Sequence, residues 1–497
     1  MMAAAVGTVM TLGELLGAVP AELSGMELSD LVMDSRQAGP SAAFVAVQGG
    51  NSHGLRYVDD AIARGASVVL YEPAPGIDVQ SGNVPCLAVS NLGSRIGELG
   101  RRFFASASPD ARLAGVTGTD GKSTVAYLVA QAQTLRGVPC GLVGTVGAGI
   151  PPNLHPQELT TPDCLSLHRT LGSLDAGFVA MEVSSHALAQ NRIDGVTIDT
   201  AVLTNLTRDH LDYHGDMDSY RSAKARLFER PRLRCAVVNV DDSFGAELAQ
   251  RIDASIERIE VGLHDRGNLR ATVVKSSING ISVRVDGPLA AAAGADERTL
   301  ESSLVGDFNA ENLVLALGVL LGWDVPLGEA CEALSRCRSP AGRLQVFGGG
   351  AQSAWVVVDY AHTPAGLERV LVNLRRLAPG ELWCVFGCGG ERDRGKRPLM
   401  GEAASRLADH VVLTDDNPRG EHPGAIVADI RAGIFGHRDV RIEHDRATAI
   451  VETVARARPG DVVLVAGKGH ELRQLAAGGY RDFSDIATVR AALEESA

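Results

Sequence analysis

The chain has 497 residues, of which 45% are hydrophobic and 22% are charged, as in ordinary globular proteins. At roughly 150 residues per domain, this length predicts about three domains. The net charge of −13 argues against nucleic acid or an anionic membrane surface as the main partner. No apolar run reaches about 18 residues, so we expect no membrane-spanning helix, and the N-terminus lacks the charged start of a signal peptide.

In chain order, residues 1–110 alternate short apolar runs with polar turns, which predicts a small α/β domain. Residues 111–338 open with a buried strand, a Gly-rich turn and a helix ending at Gly137, and then alternate strands with helices; we expect a loop at 287–297. Residues 339–497 repeat this alternation after a Pro-Ala-Gly break. The expected fold class is α/β in three domains, with mostly parallel sheets.

The eight cysteines are scattered, without a CxxC pair. This pattern indicates reduced thiols and a cytoplasmic location. Cys384 and Cys388 could in principle bind a metal together, but Cys384 lies in an apolar strand-like run and no second pair is nearby.

A phosphate-binding turn is predicted at Gly118-Thr119-Asp120-Gly121-Lys122-Ser123-Thr124, between a strand and a helix. Backbone N–H groups of such a turn, with the helix N-terminus, can hold a polyphosphate. Lys122 would offset the charge of the β- and γ-phosphates, and the Ser123 hydroxyl would bind magnesium. Because Val116 stands five positions before Gly121 where a P-loop has glycine, the motif departs from the usual spacing.

Two further segments carry possible metal ligands. Glu182 ends a strand-like run, where carboxylates commonly hold magnesium in nucleotide enzymes. Downstream, a polar segment precedes Lys224 on a predicted helix and contains Asn205, Asp209, His210, Asp212 and His214. His210 and His214 have the spacing of a helical zinc pair, but the glycine and turn formers weaken a helical reading, and an ordinary polar loop stays open.

In the last domain, polar clusters follow four strand-like runs, at 359–364, 387–393, 416–419 and 467–471. The carboxyl ends of parallel strands share one edge of a sheet, and open α/β sheets bind ligands there. The sequence therefore predicts that these clusters converge on one binding site.

The order of motifs along the whole chain resembles that of the Mur ligase family. The motifs are VTGTDGKST, TTPD, MEVSSHAL, TNLTRDHLDYHG, SAKARLF, GDFNAEN, DYAHTP, FGCGGERDRGKRP, TDDNPR and AGKGHE. The resemblance implies a UDP-muropeptide-binding domain at 1–110, a P-loop-type ATP-binding domain at 111–338 and a Rossmann-like amino-acid-binding domain at 339–497. It implies a cytoplasmic, ATP- and Mg²⁺-dependent ligase of peptidoglycan synthesis, expected as a monomer acting on small molecules, without nucleic acid or membrane insertion.

The resemblance also implies residue roles. ATP would contact the phosphate loop at 118–124, Asn309 and Arg343. The UDP-muropeptide would contact Met33, Ser35, Gly50, Asn51, Ser52, Thr160, Thr161, Ser184, Gln190 and Arg192. The incoming amino acid would contact Arg392, Asp416, Asn417, Pro418, Arg419, Gly467 and Glu471. The expected catalytic residues are Lys122, Glu182, His210 and Lys224.

The metal ligands implied by the resemblance are Ser123 and Glu182 for one Mg²⁺, and His210 with a carbamylated Lys224 for a second. A lysine can carry CO2 only as the neutral amine, and burial beside cations lowers its pKa toward that form. The carbamate is then an anionic oxygen ligand suited to hard magnesium.

The expected reaction joins meso-2,6-diaminopimelate to the D-Glu side-chain carboxylate of UDP-N-acetylmuramoyl-L-Ala-D-Glu through an acyl phosphate. In the family, the DNPR pattern at 416–419 accompanies diaminopimelate, whose extra carboxylate can pair with the Arg419 guanidinium. Two positions depart from relatives: Asp120 replaces a usual Asn, and Leu159 replaces an Asn found in some.

Three alternatives stay open. Another ligase of the same fold, such as folylpolyglutamate synthetase or the dipeptide-adding Mur ligase, fits the first domain and DNPR less well. A non-catalytic nucleotide-binding sensor of muropeptide would not need Lys122, Glu182, His210 and Lys224. A P-loop motor or GTPase would need a separate Walker B or switch pattern, which the sequence lacks.

Overall fold

The computed structural model describes residues 9–50, 52–77, 79, 82–105, 111–263, 266–292, 294, 297–436 and 439–495. Asn51, predicted to contact the muropeptide, lies outside the described residues. The chain divides into two compact units. The first contains Met1–Gly262, Arg266–Asn268 and Leu315–Ala330, and the second contains Leu263–Asp265, Leu269–Val314 and Cys331–Ala497.

The N-terminal part of the first unit is built on a four-stranded parallel sheet of order β3-β4-β5-β6. The four strands of this sheet are β3 Asp30–Val32, β4 Ala42–Ala46, β5 Ala66–Tyr71 and β6 Cys86–Ala88, and two short strands before it, β1 Met10–Thr11 and β2 Glu27–Leu28, form a separate antiparallel pair. Its α-helices are α1 Leu12–Leu16, α2 Ala21–Ser24, α3 Val58–Ala63 and α4 Leu92–Phe103. All five residues of β4 are buried, because helices and loops cover both faces of this strand.

The larger sheet of the first unit has the order β10-β9-β8-β11-β7-β12-β13-β14, parallel from β8 to β14. Its strands are β7 Arg112–Thr117, β8 Cys140–Gly144, β9 Gly147–Ile150, β10 Asn153–His155, β11 Phe178–Glu182, β12 Thr200–Leu203, β13 Cys235–Asn239 and β14 Glu257–Gly262. The helices are α5 Lys122–Leu135, α6 Cys164–Ser173, α7 Ser185–Ala189, α8 Leu211–His214, α9 Met217–Ala225 and α10 Ser243–Arg251. The continuous apolar runs of the central strands match their burial on both faces.

The second unit begins with an antiparallel meander of β15 Leu269–Ser277, β16 Gly280–Asp286 and β17 Glu297–Ser302. The loop predicted at 287–297 is wrong in part, because helix α11 occupies Pro288–Ala292. Proline suits the first position of a helix, and the alanines after it favour helix strongly. Two helices follow in the chain, α12 Phe308–Gly322 and α13 Leu327–Ser335, and each has residues in both units.

The C-terminal sheet has the order β18-β19-β23-β20-β21-β22, with only β18 antiparallel. Its strands are β18 Gln345–Gly348, β19 Trp355–Asp359, β20 Leu382–Phe386, β21 His410–Leu413, β22 Val440–Ile442 and β23 Val462–Ala466, followed by the hairpin β24 Arg473–Ala476 and β25 Gly479–Asp482. The helices are α14 Pro364–Leu377, α15 Lys396–Leu407, α16 Pro423–Arg431, α17 Arg446–Arg456 and α18 Asp485–Glu495.

Alternate residues of these strands enter two separate cores, one on each face of the sheet, as a doubly covered parallel sheet requires. The predicted α/β class with mostly parallel sheets is confirmed. Among the helices that the structure describes, none combines the length and the apolar character needed to cross a bilayer.

Candidate active site

The predicted phosphate loop connects β7 to α5 and has the expected strand–turn–helix form. Gly118 and Gly121 take φ values of +148° and +83°, a region that favours glycine. A Cβ atom on Gly118 would collide with Oγ1 of Thr204. That hydroxyl donates to the Asp120 carbonyl at 2.5 Å, and Asn205 Oδ1 accepts from the Asp120 N–H at 3.0 Å. The end of β12 therefore fixes the loop from beside it.

Both lysines predicted to be catalytic meet at this loop. Lys122 Nζ donates to the carbonyls of Gly118 at 3.0 Å and Thr119 at 2.8 Å. Lys224 Nζ, from α9, donates to the same Gly118 carbonyl at 2.7 Å. The two amines thus share one acceptor and lie close together. A change of charge on one therefore changes the electrostatic energy of the other.

The environment of Lys224 favours its neutral form. The side chain is almost fully buried, and Nζ lies 4.4 Å from the ring centre of Tyr220. Burial, and secondly the charge of Lys122, hold the pKa of Lys224 well below its ordinary value. The Tyr220 hydroxyl lies 3.2 Å from Thr119 Oγ1, so this tyrosine connects α9 to the phosphate loop. Sequence reasoning missed Tyr220, although its position one helical turn before Lys224 was a usable signal.

Glu182 and Ser123 form an oxygen-rich site beside the loop. Ser123 Oγ donates to Glu182 Oε2 at 2.8 Å, and the Thr145 N–H donates to Glu182 Oε1 at 2.7 Å. The Glu182 side chain is buried at the end of β11. A carboxylate and a hydroxyl are the ligand types that Mg²⁺ prefers, so these residues fit the predicted ion. Thr145, at the end of β8, was not predicted.

His210 adopts a left-handed backbone, with φ +53°, immediately before the short helix α8. Its Nε2 lies 3.4 Å from the Asp209 carboxylate, and its ring centre lies 4.9 Å from that of His186. The ring is 6.1 Å from Tyr220, which places it on the Lys224 side of the loop. In the part of the chain that the structure describes, no group of three or more His, Cys, Asp or Glu side chains is arranged to hold a metal. As the free amine, Lys224 offers no anionic ligand; only its carbamate would.

The predicted muropeptide residues of the central domain are brought together around Glu182. Thr161 Oγ1 donates to the Glu182 carbonyl at 2.8 Å and accepts from the Ser184 N–H at 3.1 Å. Arg192 donates to the Thr161 carbonyl at 2.9 Å and also to Gln190 Oε1. Thr160 joins the group through Thr145, with their hydroxyls 2.9 Å apart.

The other residues predicted to contact the UDP-muropeptide lie in the N-terminal domain. Met33 and Ser35 follow β3, while Gly50 and Ser52 follow β4. Because β3 and β4 are parallel neighbours, both segments leave the same edge of the sheet. Ser35 is buried at the start of a 3-10 turn, and the Ser52 hydroxyl lies 3.1 Å from that of Tyr57.

In the second unit, the four polar clusters line one cavity of about 440 Å³ at the carboxyl edge of the C-terminal sheet. The lining residues are Tyr360, His362, Thr363, Gly387, Cys388, Gly389, Arg392, Asp393, Lys396, Asp416, Asn417, Arg419, Gly467 and Glu471. The predicted convergence is therefore confirmed, although β23 lies between β19 and β20 in space. Pro418 does not line the cavity; its carbonyl faces Gly390.

Two loops of this cavity are joined through backbone groups. The Gly390 N–H donates to the Asn417 carbonyl at 2.9 Å, and Arg419 Nη1 donates to the Gly390 carbonyl at 2.8 Å. Arg419 has φ +55°, so its guanidinium reaches the cavity from a left-handed residue. Behind them, fully buried Arg397 donates to both oxygens of Glu421 at 2.8 Å.

The pKa values of two carboxyl groups in the cavity are shifted in opposite directions. Burial raises the pKa of Asp416. Burial also acts to raise the pKa of Glu471, but hydrogen bonds from Lys468 and Asn417 outweigh it and lower the pKa. Glu471 is therefore the better receptor for a substrate ammonium. Lys468 was missed, although it stands between predicted residues Gly467 and Glu471.

Asn309 and Arg343, predicted to contact ATP, both lie in the second unit. Asn309 is buried and donates to the Val305 carbonyl at 2.7 Å, while its Oδ1 accepts from Asn312 at 2.9 Å. Arg343 stacks its guanidinium 4.6 Å from the ring centre of Tyr360. The Asn309 side chain therefore makes its hydrogen bonds at the start of α12. Arg343 instead places a flat cationic group beside an aromatic ring.

A strand–turn–helix phosphate loop beside a buried glutamate that is bonded to a serine, in a chain that also carries a polar cavity at a parallel-sheet edge, defines a nucleotide-dependent α/β enzyme. Three stretches match the descriptions "Mur ligase family, catalytic domain" at 27–103, "Mur ligase middle domain" at 116–320 and "Mur ligase, glutamate ligase domain" at 342–469. With the full-length relatives below, they establish that the chain belongs to the Mur ligase family. The predicted three-domain α/β fold is thereby confirmed.

The chain is similar over its whole length to proteins named UDP-N-acetylmuramoyl-L-alanyl-D-glutamate–2,6-diaminopimelate ligase. It is 44% identical to the one from Ectopseudomonas mendocina, covering 97% of this chain and 98% of the relative. It is 46% identical to that of Xylella fastidiosa (strain Temecula1), covering 96% of both. A solved structure of the same title is 35% identical, with a TM-score of 0.68 over 98% of this chain and 99% of that one.

A more distant solved relative is the MurF ligase from Thermotoga maritima in complex with ADP. It is 17% identical, with a TM-score of 0.63 over 94% of this chain and 97% of that one. At this identity the likeness shows the fold alone.

Proposed function

We propose that this protein is the ligase that joins meso-2,6-diaminopimelate to the D-Glu side-chain carboxylate of UDP-N-acetylmuramoyl-L-Ala-D-Glu, with hydrolysis of ATP to ADP and phosphate. The full-length similarity to relatives of that name supports the reaction. The observation that carries the choice of amino acid is the single cavity that gathers Arg419, Asp416 and Glu471. A guanidinium and two carboxylates match a substrate with both carboxylate and ammonium groups.

The reaction begins when the D-Glu carboxylate attacks the γ-phosphate of ATP and ADP leaves, forming an acyl phosphate. Lys122 leaves its loop carbonyls to offset the repulsion between carboxylate and triphosphate. The neutral amine of diaminopimelate then attacks the acyl carbon, and phosphate departs as the amide bond forms. Thr160, Thr161, Ser184, Gln190 and Arg192 hold the muropeptide.

Two magnesium ions would bind at the phosphate loop, where they would neutralise phosphate charge. Ser123 and Glu182 suit the first by their oxygen ligands and their 2.8 Å contact. His210 and the carbamate of Lys224 would hold the second. The lowered pKa of Lys224 supports this modification, because only a neutral amine reacts with CO2.

The cavity also explains why L-lysine would be a poor substrate. Lysine lacks the second carboxylate and would leave Arg419 facing the cavity without its anion. Losing a hydrogen bond to a charged group costs about 1.5–3 kcal/mol. Because the proposed substrates are cytoplasmic metabolites, we also propose a cytoplasmic location for the protein. The domain boundaries at 110/111 and 338/339 and the monomeric state stay predictions.

The test is phosphate release from ATP and Mg²⁺ with UDP-N-acetylmuramoyl-L-Ala-D-Glu, offering meso-diaminopimelate or L-lysine in parallel. We expect turnover with diaminopimelate alone. Turnover with lysine instead would keep the ligase and overturn the role given to Arg419. No turnover with either amino acid, together with intact ATP binding, would favour a muropeptide sensor.

A further inference from the structure

We propose that Lys468 is a positioning residue for the acceptor amino acid, fixing Asn417 and Glu471 so that one free carboxylate oxygen of Glu471 receives a substrate ammonium group. This inference rests on the proposed function, because it takes the cavity to be the amino-acid site. It adds a residue that never touches the substrate.

The three donors of the Lys468 ammonium are all engaged within the protein. Nζ donates to Glu471 Oε2 at 2.7 Å, to the Arg473 carbonyl at 2.8 Å and to Asn417 Oδ1 at 3.1 Å. The side chain is fully buried. An ammonium group has three N–H donors, so none remains for a ligand. Lys468 therefore acts through its neighbours.

The orientation of Asn417 follows from these bonds. Its Oδ1 accepts from Lys468 and also from the Leu475 N–H at 2.9 Å, on the hairpin β24–β25. The amide nitrogen must then point the other way, and it donates to Glu471 Oε2 at 2.9 Å. Lys468 and the hairpin together set which end of the Asn417 amide faces Glu471.

Glu471 is consequently held by one oxygen. Oε2 accepts from both Lys468 and Asn417, whereas Oε1 has no hydrogen-bond partner among the described residues. The side chain is 33% exposed and lines the cavity. This geometry leaves one unengaged acceptor oxygen on a carboxylate that lines the cavity, and an ionised carboxylate binds an ammonium group strongly.

Removing the Lys468 charge has a defined consequence. Glu471 would lose its buried cationic partner, while the carboxyl group of Asp416 would remain in the same cavity. Arg446 would not replace the lost cation, because its guanidinium is already paired with Asp485 at 2.7 Å. Truncation of one member of a buried charge pair commonly costs 2–5 kcal/mol, equivalent to about 30-fold or more in affinity. The loss should fall on the amino acid and spare ATP.

The experiment measures KM for diaminopimelate, ATP and muropeptide with the full-length protein, as wild type, Lys468→Met, Lys468→Gln and Glu471→Gln, and as the double variant Lys468→Met/Glu471→Gln. We expect Lys468→Met to raise KM for diaminopimelate by about 30-fold and KM for ATP by less than about twofold. The double variant should equal Glu471→Gln within about twofold, because Lys468 acts through Glu471.

Lys468→Gln guards against a misfolded Lys468→Met, since glutamine keeps a buried donor without the charge. Lys275→Met removes an exposed lysine of the same unit and serves as the control. Equal rises in all three KM values, or additive effects in the double variant, would assign Lys468 a merely structural role and overturn the proposal. So would a folded Lys468→Gln protein with unchanged KM for diaminopimelate. Wild-type turnover tests the proposed function separately, so the two failures are distinguishable.

Discussion

At the scale of single residues, the Gly118 carbonyl links the two lysines on which the proposed chemistry depends. Lys122 and Lys224 both donate to it, at 3.0 Å and 2.7 Å. In the proposed mechanism, a carbamylated Lys224 would no longer act as an ammonium donor there, and Lys122 would leave this carbonyl to meet phosphate. The free protein thus holds both amines in place before the substrates arrive.

Replacing Lys224 with Ala is expected to reduce turnover by at least about 100-fold, because the proposed metal ligand would be lost. Acetate, which supplies a separate carboxylate, should restore part of the rate, whereas bicarbonate should not. The measurement is phosphate release, with Lys275→Ala as the control for loss of an exposed lysine. A fully active Lys224→Ala protein would remove the carbamate from the mechanism.

Replacing Arg419 with Ala is expected to raise KM for diaminopimelate by about 10- to 100-fold, the equivalent of a charged hydrogen bond of ~1.5–3 kcal/mol. KM for ATP should change little. Arg456→Ala is the control, since Arg456 is exposed at the end of α17, before β23 begins at the opposite edge of the sheet. Equal effects on both substrates would contradict the assigned specificity.

At the scale of elements, the phosphate loop depends on the strand beside it. Gly118→Ala combines a left-handed backbone with a collision against Thr204, so we expect a loss of about 1–3 kcal/mol in stability and weaker ATP binding. Thermal unfolding and nucleotide titration check this. Adding Thr204→Ala should recover part of the loss, and Gly177→Ala, where a Cβ meets nothing within 4 Å, should be neutral. A Gly118→Ala protein with unchanged stability and unchanged ATP binding would contradict this prediction.

The link between α15 and the loop before α16 gives a pH prediction. The hydrogen bond from Arg397 lowers the pKa of Glu421 from 4.5 to about 2. A depressed pKa stabilises the fold fully above pH 4.5, and that contribution is lost as the pH falls toward 2. The melting temperature of Glu421→Gln should therefore lie furthest below wild type above pH 4.5, and the gap should close with acidification. A gap independent of pH would contradict this, and Asp482→Asn, at an exposed carboxylate, is the control.

At the scale of the whole molecule, the chain is expected to be a monomer of 52.1 kDa. Its net charge of −13 opposes self-association through repulsion between like-charged copies. Light scattering after size exclusion at low salt measures the mass directly. A dimer mass under these conditions would show an interface strong enough to overcome that repulsion.

The sequence by itself determined the α/β class, the phosphate loop and the four clusters of the C-terminal cavity. These features are local: buried parallel strands are continuous apolar runs, and functional residues follow the carboxyl end of each strand. Chain order did not determine the order of strands in space, since β23 lies between β19 and β20. The helix at Pro288–Ala292 was missed because the predicted loop rested on composition alone.

Only the tertiary structure decided which side chains, distant in the sequence, contact each other. Tyr220 meets Thr119 across 101 residues, Thr145 meets Glu182 across 37, and Lys468 meets Asn417 across 51. No periodicity in the sequence encodes such contacts, because they depend on strand order and on which rotamer each buried side chain adopts. The physical reason is that a buried charge or amide must find its partners wherever folding places them.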